Sequence, residues 1–302
     1  MSSSRVEGRS FASKALAVTK RYLVYLPRAY DESTRRFPVV IMLHGLGGDE
    51  TNWTRQGGLQ QTADAVGLSA IVVMPDGDDS FYTNGVASIG YEACLERKPP
   101  WNPTEPSTTY CVHTPRYEDY IVFDLVAEVE RHHRAIADRR SRGIGGLSMG
   151  GFGALSLAMR HPDMFAAAAS QSGMVAMLYR GPHPYVRGRE TLADDVASWG
   201  GQYSKPFREH VIGIFGSDTA SWRAHDPAAL ASRLSPGSLA LRFDCGASDG
   251  YHFEDHASYL HDVLGARAIP HEFAIVPGEH SWKLWRATLS ESLKFFAATL
   301  AH

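Results

Sequence analysis

Short apolar runs alternate with amphipathic segments along most of this chain. Runs rich in β-branched residues at 37–43 and 70–74 are typical of strands buried on both faces of a sheet. Residues 117–133 carry apolar side chains at helical spacing, which predicts an amphipathic helix. The same criteria predict other strands at residues 21–27, 211–215, 239–243 and 271–276, and other helices at residues 60–66, 152–160, 227–234, 251–264 and 281–300.

This alternation of strands and helices predicts an α/β fold, in which a mostly parallel central sheet is covered by helices on both faces. The chain has 302 residues, of which 44% are hydrophobic, so it can bury a large core. No internal repeat or linker divides the sequence. We therefore expect one domain over residues 1–302.

A long segment at residues 80–116 breaks the alternation. It is rich in proline, and we predict an inserted loop, which at this length is usually functional or disordered. Its aromatic side chains fit either a lid over a substrate or an ordinary surface insertion; they are Phe81, Tyr82, Tyr91, Trp101 and Tyr110.

The charge pattern argues against two classes of partner. The formal net charge is −3 and no block of basic residues occurs, so neither nucleic acid nor an anionic membrane surface is expected as the main partner. The first twenty residues lack the apolar core of a signal peptide, and the longest apolar runs are too short to cross a bilayer. A cytoplasmic protein is the default expectation, although a trimmed mature form of a secreted protein would look the same.

The three cysteines do not form a disulfide framework by number or spacing. Cys94 and Cys111 lie in the same predicted loop and could either pair or remain free thiols. Cys245 ends a predicted strand and is expected to be buried. None of the three occupies a turn that would suit a nucleophile.

The strongest chemical signal is Gly146-Leu147-Ser148-Met149-Gly150, which follows the G-x-S-x-G pattern of a nucleophile elbow. A serine at a sharp strand-to-helix turn needs small neighbours two positions away, and glycine provides them. The helix that follows would direct free N–H groups and its positive dipole end toward an anion formed beside the serine. The alternative is a glycine-rich turn with only a structural role. The context favours Ser148 as a nucleophile.

A serine nucleophile needs a base and an acid, and in an α/β-hydrolase they follow it in the order acid, then histidine. His280 follows the last predicted strand, and Asp249 follows the strand before it. We therefore predict His280 as the base and Asp249 as the acid. Asp218 is the rival acid because it follows the predicted strand at 211–215. Asp76 is out of order and is expected to shape a turn.

The loop after the strand at 37–43 is rich in glycine and begins with His44-Gly45-Leu46. We predict that the N–H groups of Leu46 and Met149 form an oxyanion hole, and that His44 supports the loop. The alternative is a plain turn between a strand and a helix. Three aromatic residues are candidates for the walls of a substrate pocket or for core packing: Trp53, Tyr82 and Trp282.

A metal site is a weak alternative. His252 and His256 are four residues apart, which places them on one helix face as in many zinc sites. The acid does not directly follow the first histidine, and no third ligand is evident. We interpret this helix face as solvated and predict no metal and no cofactor.

The sequence resembles the esterase D-like branch of the α/β-hydrolases. This branch includes feruloyl and acetyl-xylan esterases, short-chain esterases, S-formylglutathione hydrolases and mycolyltransferases. The likeness covers most of the chain; it is seen in YLVYLP (22–27), in residues 44–53, and in YEDYI (117–121), GLSMGGFGA (146–154), HPDMF (161–165) and PGEHSWKLW (277–285).

The resemblance implies an α/β-hydrolase fold and the same roles for Ser148, Asp249, His280, Leu46 and Met149. S-formylglutathione hydrolases usually have Thr-Cys after the first Gly-Leu, and mycolyltransferases have Asp and Arg around it. This chain has His44 before that Gly-Leu and Gly47-Gly48 after it, which is most similar to the short-chain and carbohydrate esterases.

We therefore expect a serine carboxylic ester hydrolase that acts through an acyl-enzyme on short-chain acyl or feruloyl and acetyl carbohydrate esters. The partner is then a small-molecule or carbohydrate ester. Two alternatives use the same three residues: a thioesterase of the S-formylglutathione hydrolase type, and an acyltransferase. The oligomeric state is not predicted.

Overall fold

A computed structural model of the chain describes residues 3–86 and 90–302. Residues 1–2, and residues 87–89 of the predicted 80–116 loop, lie outside this description. The strands are β1 (Arg5–Ser13), β2 (Val18–Leu26), β3 (Val39–Leu43), β4 (Ile71–Pro75), β5 (Arg142–Leu147), β6 (Ala167–Gln171), β7 (Tyr179–Gly181), β8 (Thr191–Leu192), β9 (Ala240–Gly246) and β10 (Glu272–Val276).

The helices follow the strands in the predicted alternation. They are α1 (Asn52–Arg55), α2 (Leu59–Ala65), α3 (Tyr91–Leu95), α4 (Ser107–Tyr110), α5 (Tyr117–Asp119), α6 (Val126–His132), α7 (Met149–Arg160), α8 (Lys205–Phe215), α9 (Thr219–Arg223), α10 (Pro227–Leu230), α11 (Phe253–Ala266) and α12 (Trp282–Thr299). A π-helical segment, Tyr120–Leu125, joins α5 to α6, and short 3₁₀ turns occur at Arg28–Tyr30, Arg139–Ser141 and Ala231–Arg233.

Within the described residues, eight strands form one sheet in the order β1-β2-β4-β3-β5-β6-β9-β10. The strands from β4 to β10 in this order are parallel to their neighbours. β1 pairs antiparallel with β2, and β2 pairs antiparallel with β4. The predicted mostly parallel sheet is therefore confirmed.

The central strand β3 explains why both faces of the sheet are covered. Its side chains alternate between two buried layers, because successive side chains in a strand point to opposite faces. Ile41 and Leu43 belong to the layer that contains α7 and α11, whereas Val40 and Met42 belong to the layer that contains α2 and α12. A strand buried on both sides needs apolar residues at every position, and all five residues of β3 are apolar and buried.

One predicted strand is wrong. Residues 211–215 are the end of helix α8, not a strand. A short run of β-branched residues fits either structure, and here helical spacing decides, because Phe207, Val211 and Phe215 are buried at four-residue intervals. Pro206 stands in the first turn of the helix, a position that proline favours.

β1 and the small two-stranded sheet of β7 with β8 have no counterpart among the predicted elements, whereas β2 contains most of the strand predicted at residues 21–27. β1 is an edge strand whose residues are mostly exposed or half-buried, so its sequence carries no core signal. The predicted helix at 227–234 is shorter than expected, since α10 ends at Leu230 and a 3₁₀ turn follows.

Within the 80–116 segment, the described residues include α3 and α4, and a disulfide joins Cys94 of α3 to Cys111, which directly follows α4. Cys245 is a free, buried thiol. Among the residues described here, none of the helices has the length and apolar character needed to cross a membrane.

Candidate active site

Ser148 lies at the turn between β5 and α7, where its backbone has φ 52° and ψ −118°. This positive φ is strained for a residue other than glycine, and such strain is concentrated at functional sites. The two flanking glycines are required by close backbone contacts. A Cβ at Gly146 would lie 2.3 Å from the carbonyl oxygen of Gly150, and one at Gly150 would lie 2.4 Å from that of Leu43. The G-x-S-x-G pattern is thus a steric requirement of this turn.

Three side chains from distant parts of the chain form one hydrogen-bonded series. The Ser148 Oγ lies 2.9 Å from Nε2 of His280, and Nδ1 of His280 lies 2.6 Å from Oδ2 of Asp249. Because Nδ1 faces a carboxylate, it carries the proton, and Nε2 accepts from the serine hydroxyl. The other oxygen of Asp249 accepts a hydrogen bond from the backbone N–H of Tyr251 at 2.9 Å.

The sheet topology brings this acid and this base together. Asp249 follows β9 and His280 follows β10, and these strands are parallel neighbours, so their carboxyl ends meet at one edge of the sheet. The rival acid Asp218 has a different role. Its carboxylate accepts from the backbone N–H of Ala220 at 2.9 Å and caps α9. Asp218 was the rival acid because a strand was predicted at residues 211–215. These residues are helical, so Asp218 does not follow a strand of the sheet.

Aromatic rings hold the imidazole of His280 in place. Tyr251 and Trp285 each contact it edge-on with ring centroids 4.9 Å away, and Phe253 lies 5.5 Å away. Sequence reasoning did not select these three residues. Tyr251 and Phe253 could have been found from their nearness to Asp249 in the sequence, and Trp285 from its position one turn into the helix that follows His280.

The glycine-rich loop after β3 lies beside the serine. Leu46 and Met149 both line the cavity that Ser148 and His280 also line. The loop is fixed by its neighbours, because the Gly47 N–H donates to Oδ1 of Asp79 at 2.7 Å. Burial raises the pKa of Asp79 to about 6. The two predicted oxyanion donors therefore belong to residues on the same cavity wall as the serine.

The His44 side chain supports this loop through two hydrogen bonds to backbone groups, as predicted. Its Nε2 accepts a hydrogen bond from the Gly77 N–H at 2.9 Å, so Nδ1 carries the proton and donates to the Gly45 carbonyl at 2.9 Å. Burial lowers the pKa of His44, which keeps the ring neutral as this pair of bonds requires. His44 connects the loop after β3 to the turn after β4.

The cavity has a volume of about 250 Å³ and reaches Ser148 and His280. Of the three aromatic residues predicted for its walls, only Trp282 lines it. Trp53 and Tyr82 are core residues, 1% exposed each. The Trp53 indole donates to the Leu43 carbonyl at 3.0 Å, and the Tyr82 hydroxyl donates to the His44 carbonyl at 2.9 Å. The other aromatic wall residues are Phe81, Trp101, Phe207, Tyr251, Phe253 and Trp285.

The predicted loop at 80–116 thus contributes two residues, Phe81 and Trp101, to the cavity wall. Trp101 also packs against the glycine-rich loop, since a Cβ at Gly47 would lie 2.7 Å from the Trp101 carbonyl oxygen. Tyr110 instead donates to Asp79 at 3.2 Å, and Tyr91 stacks on His113 with centroids 3.8 Å apart. Of the five aromatic residues named for this segment, Phe81 and Trp101 line the cavity.

A separate set of buried charges lies at the end of β4, and we name Lys20, Asp76 and Asp78 the Lys20 cluster. The Lys20 ammonium lies 2.9 Å from Asp76 and 2.8 Å from both carboxylate oxygens of Asp78, and it donates to the Thr109 carbonyl at 2.9 Å. Burial opposes the positive charge, but the two carboxylates outweigh it and raise the pKa of Lys20. Asp76 also accepts from the Asp78 N–H at 3.3 Å, which is the predicted turn-shaping role.

The interpretation of His252 and His256 as a solvated pair is wrong for His256. This residue is 1% exposed, and its Nε2 lies 3.2 Å from the Tyr203 hydroxyl. Burial lowers the pKa of His256 to about 3, so it is a neutral core side chain. The two histidines therefore do not share an exposed face.

The parallel sheet, with a serine at a strained strand-to-helix turn and an acid and a histidine after the next strands, defines the α/β-hydrolase class. Residues 13–296 match the family described as putative esterase. The chain belongs to this esterase family, which confirms the resemblance to esterase D-like proteins.

The similar proteins differ in how much of their own length aligns with this chain. An uncharacterized protein of Corynebacterium glutamicum is 26% identical over 285 residues, covering 90% of this chain and 56% of that protein, so the chain spans about half the length of this relative. An S-formylglutathione hydrolase of Paracoccus denitrificans is 25% identical over 298 residues, covering 95% of this chain and 91% of that protein. A solved ferulic acid esterase has a TM-score of 0.71 at 22% identity, over 99% of this chain and 100% of that one. The last likeness establishes the fold.

Proposed function

We propose that this chain is a serine carboxylic ester hydrolase with Ser148 as nucleophile, His280 as base and Asp249 as orienting acid. The observation that carries the proposal is the hydrogen-bonded series from Ser148 Oγ to His280 at 2.9 Å and from His280 to Asp249 at 2.6 Å. A serine hydroxyl is a weak nucleophile at neutral pH, and an adjacent base oriented by a carboxylate activates it.

The reaction follows from the position of each group. His280 Nε2 takes the proton of Ser148 as Oγ attacks the ester carbonyl carbon, and the carbonyl oxygen becomes negatively charged. The N–H groups of Leu46 and Met149 donate to this oxygen, and each such donor is worth about a hundred- to thousandfold in rate. His280 then gives its proton to the departing alcohol, which leaves an acyl-serine. A water molecule, deprotonated by His280, releases the acid and regenerates Ser148.

The character of the cavity supports a neutral ester as substrate. Apart from His280, the residues that line it in the described part of the chain are apolar, aromatic, glycine or amide, with the serine itself. Aromatic faces bind apolar acyl groups and the faces of sugar rings, whereas a charged substrate needs charged partners. We therefore propose short-chain acyl or feruloyl and acetyl carbohydrate esters as the substrate class.

A thioester substrate of the S-formylglutathione type is the second candidate. The observation that favours it is the relative from Paracoccus denitrificans, which carries that name and matches this chain over 91% of its own length. The same three side chains would serve a thioester, because the attacked atom is again a carbonyl carbon. The two candidates differ in the charge of the leaving group that the cavity mouth must accept.

A substrate panel tests the proposal and separates the candidates. We expect the wild type to hydrolyse p-nitrophenyl acyl esters and at least one of methyl ferulate, acetylated xylan and S-formylglutathione. Ser148→Ala should lower kcat by about a million-fold, since loss of the nucleophile removes the whole catalytic unit. Mass spectrometry of wild type quenched during turnover should detect the acyl group on Ser148.

Ser290→Ala is the matched control, because this half-buried serine of α12 lies beside Glu291 and does not line the cavity, and its activity should equal that of wild type. Turnover by Ser148→Ala near the wild-type rate would refute the proposal. Transfer of the acyl group to an added alcohol in preference to water would replace hydrolysis by acyl transfer with the same residues.

A further inference from the structure

Two histidines and a glutamate from separate segments meet on the side of α11 near the Asp249 loop. His183 belongs to the segment between β7 and β8, whereas His252 and Glu254 lie at the start of α11. One possible ligand atom of each side chain lies within 4.8 Å of those of the other two. We name these three residues the His183 cluster. None of them has a part in the proposed ester hydrolysis.

The His183 imidazole is held in one tautomer by a buried acid. Its Nδ1 lies 2.6 Å from Oδ2 of Asp255, which is 2% exposed, and Oδ1 of Asp255 accepts from the Tyr185 N–H at 2.7 Å. With Nδ1 protonated toward the carboxylate, Nε2 retains a free lone pair. A carboxylate that accepts from one ring nitrogen, and so orients the other, is the usual outer partner of a metal-binding histidine.

His252 and Glu254 are spaced as two ligands of one ion. Nδ1 of His252 lies 3.5 Å from Oε1 of Glu254. Two ligands of a tetrahedral zinc ion at about 2.0–2.1 Å lie about 3.3 Å from each other, so only a small adjustment is needed. The second carboxylate oxygen, Oε2 of Glu254, is buried and lacks a hydrogen-bond partner among the described residues. A cation bound to this carboxylate would compensate the negative charge that the unpaired oxygen shares.

We propose that the His183 cluster binds a divalent transition-metal ion of the zinc type, with His183, His252 and Glu254 as ligands and water completing the tetrahedron. Two imidazoles and one carboxylate are a ligand set that suits zinc and similar ions. The site differs from the His252 and His256 pair suggested by sequence spacing, because His256 is in the core and His183 supplies the second imidazole.

The ion would join two segments that border the proposed active site. Tyr251 and Phe253, on either side of His252, line the cavity beside Ser148. The His252 N–H donates to the carbonyl of Asp249 at 3.0 Å. The negative charges of Asp255 and Glu254 favour a cation here. The role we assign to the ion is to fix the segment that carries His183 against the first turn of α11.

Titration of the metal-free full chain with Zn²⁺ at neutral pH, followed by calorimetry, tests the site. We expect one ion per chain in wild type. His183→Ala and His252→Ala should each weaken binding by more than about a hundredfold, and Asp255→Asn by about ten- to a hundredfold, because it orients His183 without contacting the ion. Glu254→Gln keeps the shape of the side chain and removes its charge, and should also weaken binding. Co²⁺ absorption would report the tetrahedral geometry.

A second histidine pair in this chain provides the matched control. Nδ1 of His261 lies 2.8 Å from Nε2 of His271. Among the described residues, no carboxylate forms a group of three with this pair in which the ligand atoms lie within 4.8 Å of one another. His261→Ala should therefore keep the site intact. The proposal is overturned if wild type binds no Zn²⁺, if both His183→Ala and His252→Ala bind it as wild type does, or if His280→Ala rather than these variants removes binding. Circular dichroism of each variant separates loss of the site from loss of the fold. Because binding is the readout, the result is independent of the ester hydrolysis proposed above.

Discussion

The Lys20 cluster and the series of Ser148, His280 and Asp249 are both built from buried carboxylates next to a basic group, yet only one of them is suited to chemistry. Lys20 is 1% exposed, and its ammonium is enclosed by Asp76, Asp78 and a backbone carbonyl. In the serine series the carboxylate is equally buried, but the imidazole and the hydroxyl reach a cavity. Buried charge alone therefore does not identify an active site in this molecule.

The two regions also differ in how their protons are held. Tyr117 donates a hydrogen bond to Asp78, and the positive charge of Lys20 is fixed between two carboxylates. Such an ion stabilises its surroundings only while both signs are present. His280 instead lies between an acceptor on one side and a donor on the other, so it can pass a proton from Ser148 to a leaving group. We therefore predict that substitutions in the series of Ser148, His280 and Asp249 lower kcat, and that substitutions in the Lys20 cluster lower the free energy of unfolding.

Among the substitutions that compare the two regions, Asp249→Asn should have the largest effect, and that effect should be on kcat. An amide cannot hold the same His280 tautomer, so we expect kcat to fall by about ten-thousandfold with little change in the folded structure. Steady-state kinetics with a p-nitrophenyl ester measures the effect. Asp218→Asn is the matched control, since asparagine also caps a helix and this residue lies outside the series. Equal kcat for the two variants would contradict the assignment of Asp249.

Lys20→Met should have the opposite signature. The variant leaves Asp78 buried without a cation and leaves Asp76 with only the Arg21 guanidinium, 3.6 Å away, so we expect the free energy of unfolding to fall by about 3–5 kcal/mol. The kcat of the folded variant should remain close to that of wild type. Urea unfolding measures the change, and Lys294→Met is the control, because that lysine forms an exposed pair with Glu291 and contributes about 0–1 kcal/mol. Unchanged stability would mean that the Lys20 cluster does not hold the fold.

The sequence predicts the location of a site residue where local steric requirements or the order of the strands determine it. The position of Ser148 could be predicted because its turn admits only glycine two residues away on each side, and those of Asp249 and His280 because they follow neighbouring strands. Residues 211–215 were misassigned because β-branched residues fit a strand until tertiary packing places Phe207 and Val211 on one buried helix face.

Other features depend on contacts that no local pattern contains. The Lys20 cluster joins β2 to the turn after β4, and the His183 cluster joins two segments that are about seventy residues apart, as the contact of His183 with Asp255 illustrates. Trp53 and Trp282 each lie in the first turn of a helix that follows a strand and a loop, and only the packing places one in the core and the other at the cavity.

Asp79 lies between the two regions and gives a pH test of the comparison. Burial raises its pKa to about 6, from an ordinary value of 3.8 for this kind of carboxyl. Between these pH values the native protein keeps a proton that the unfolded chain has lost, so this group lowers the free energy of unfolding as pH rises, by up to about 3 kcal/mol. Asp79→Asn should remove that part of the pH dependence while its amide oxygen still accepts from Gly47.

Urea unfolding of wild type and Asp79→Asn at acidic and neutral pH measures the difference. Other buried acids contribute equally to both proteins, so the difference isolates Asp79. Asp163→Asn, at an exposed position, is the control and should follow wild type. Parallel pH curves for wild type and Asp79→Asn would contradict the raised pKa.

The smallest effect should come from the segment that borders both regions, through Trp101→Ala. Trp101 lines the cavity and covers Gly47, so its loss removes one aromatic surface that a substrate in the cavity could contact. Such a contact is worth about 1 kcal/mol, which corresponds to a rise in KM of about fivefold with kcat nearly unchanged. Tyr91→Ala is the matched control, because this aromatic residue of the same segment stacks on His113 away from the cavity. If instead kcat falls and KM is unchanged, Trp101 acts by positioning the loop that contains Gly47. The cavity wall and the predicted oxyanion loop would then act as one part of the site.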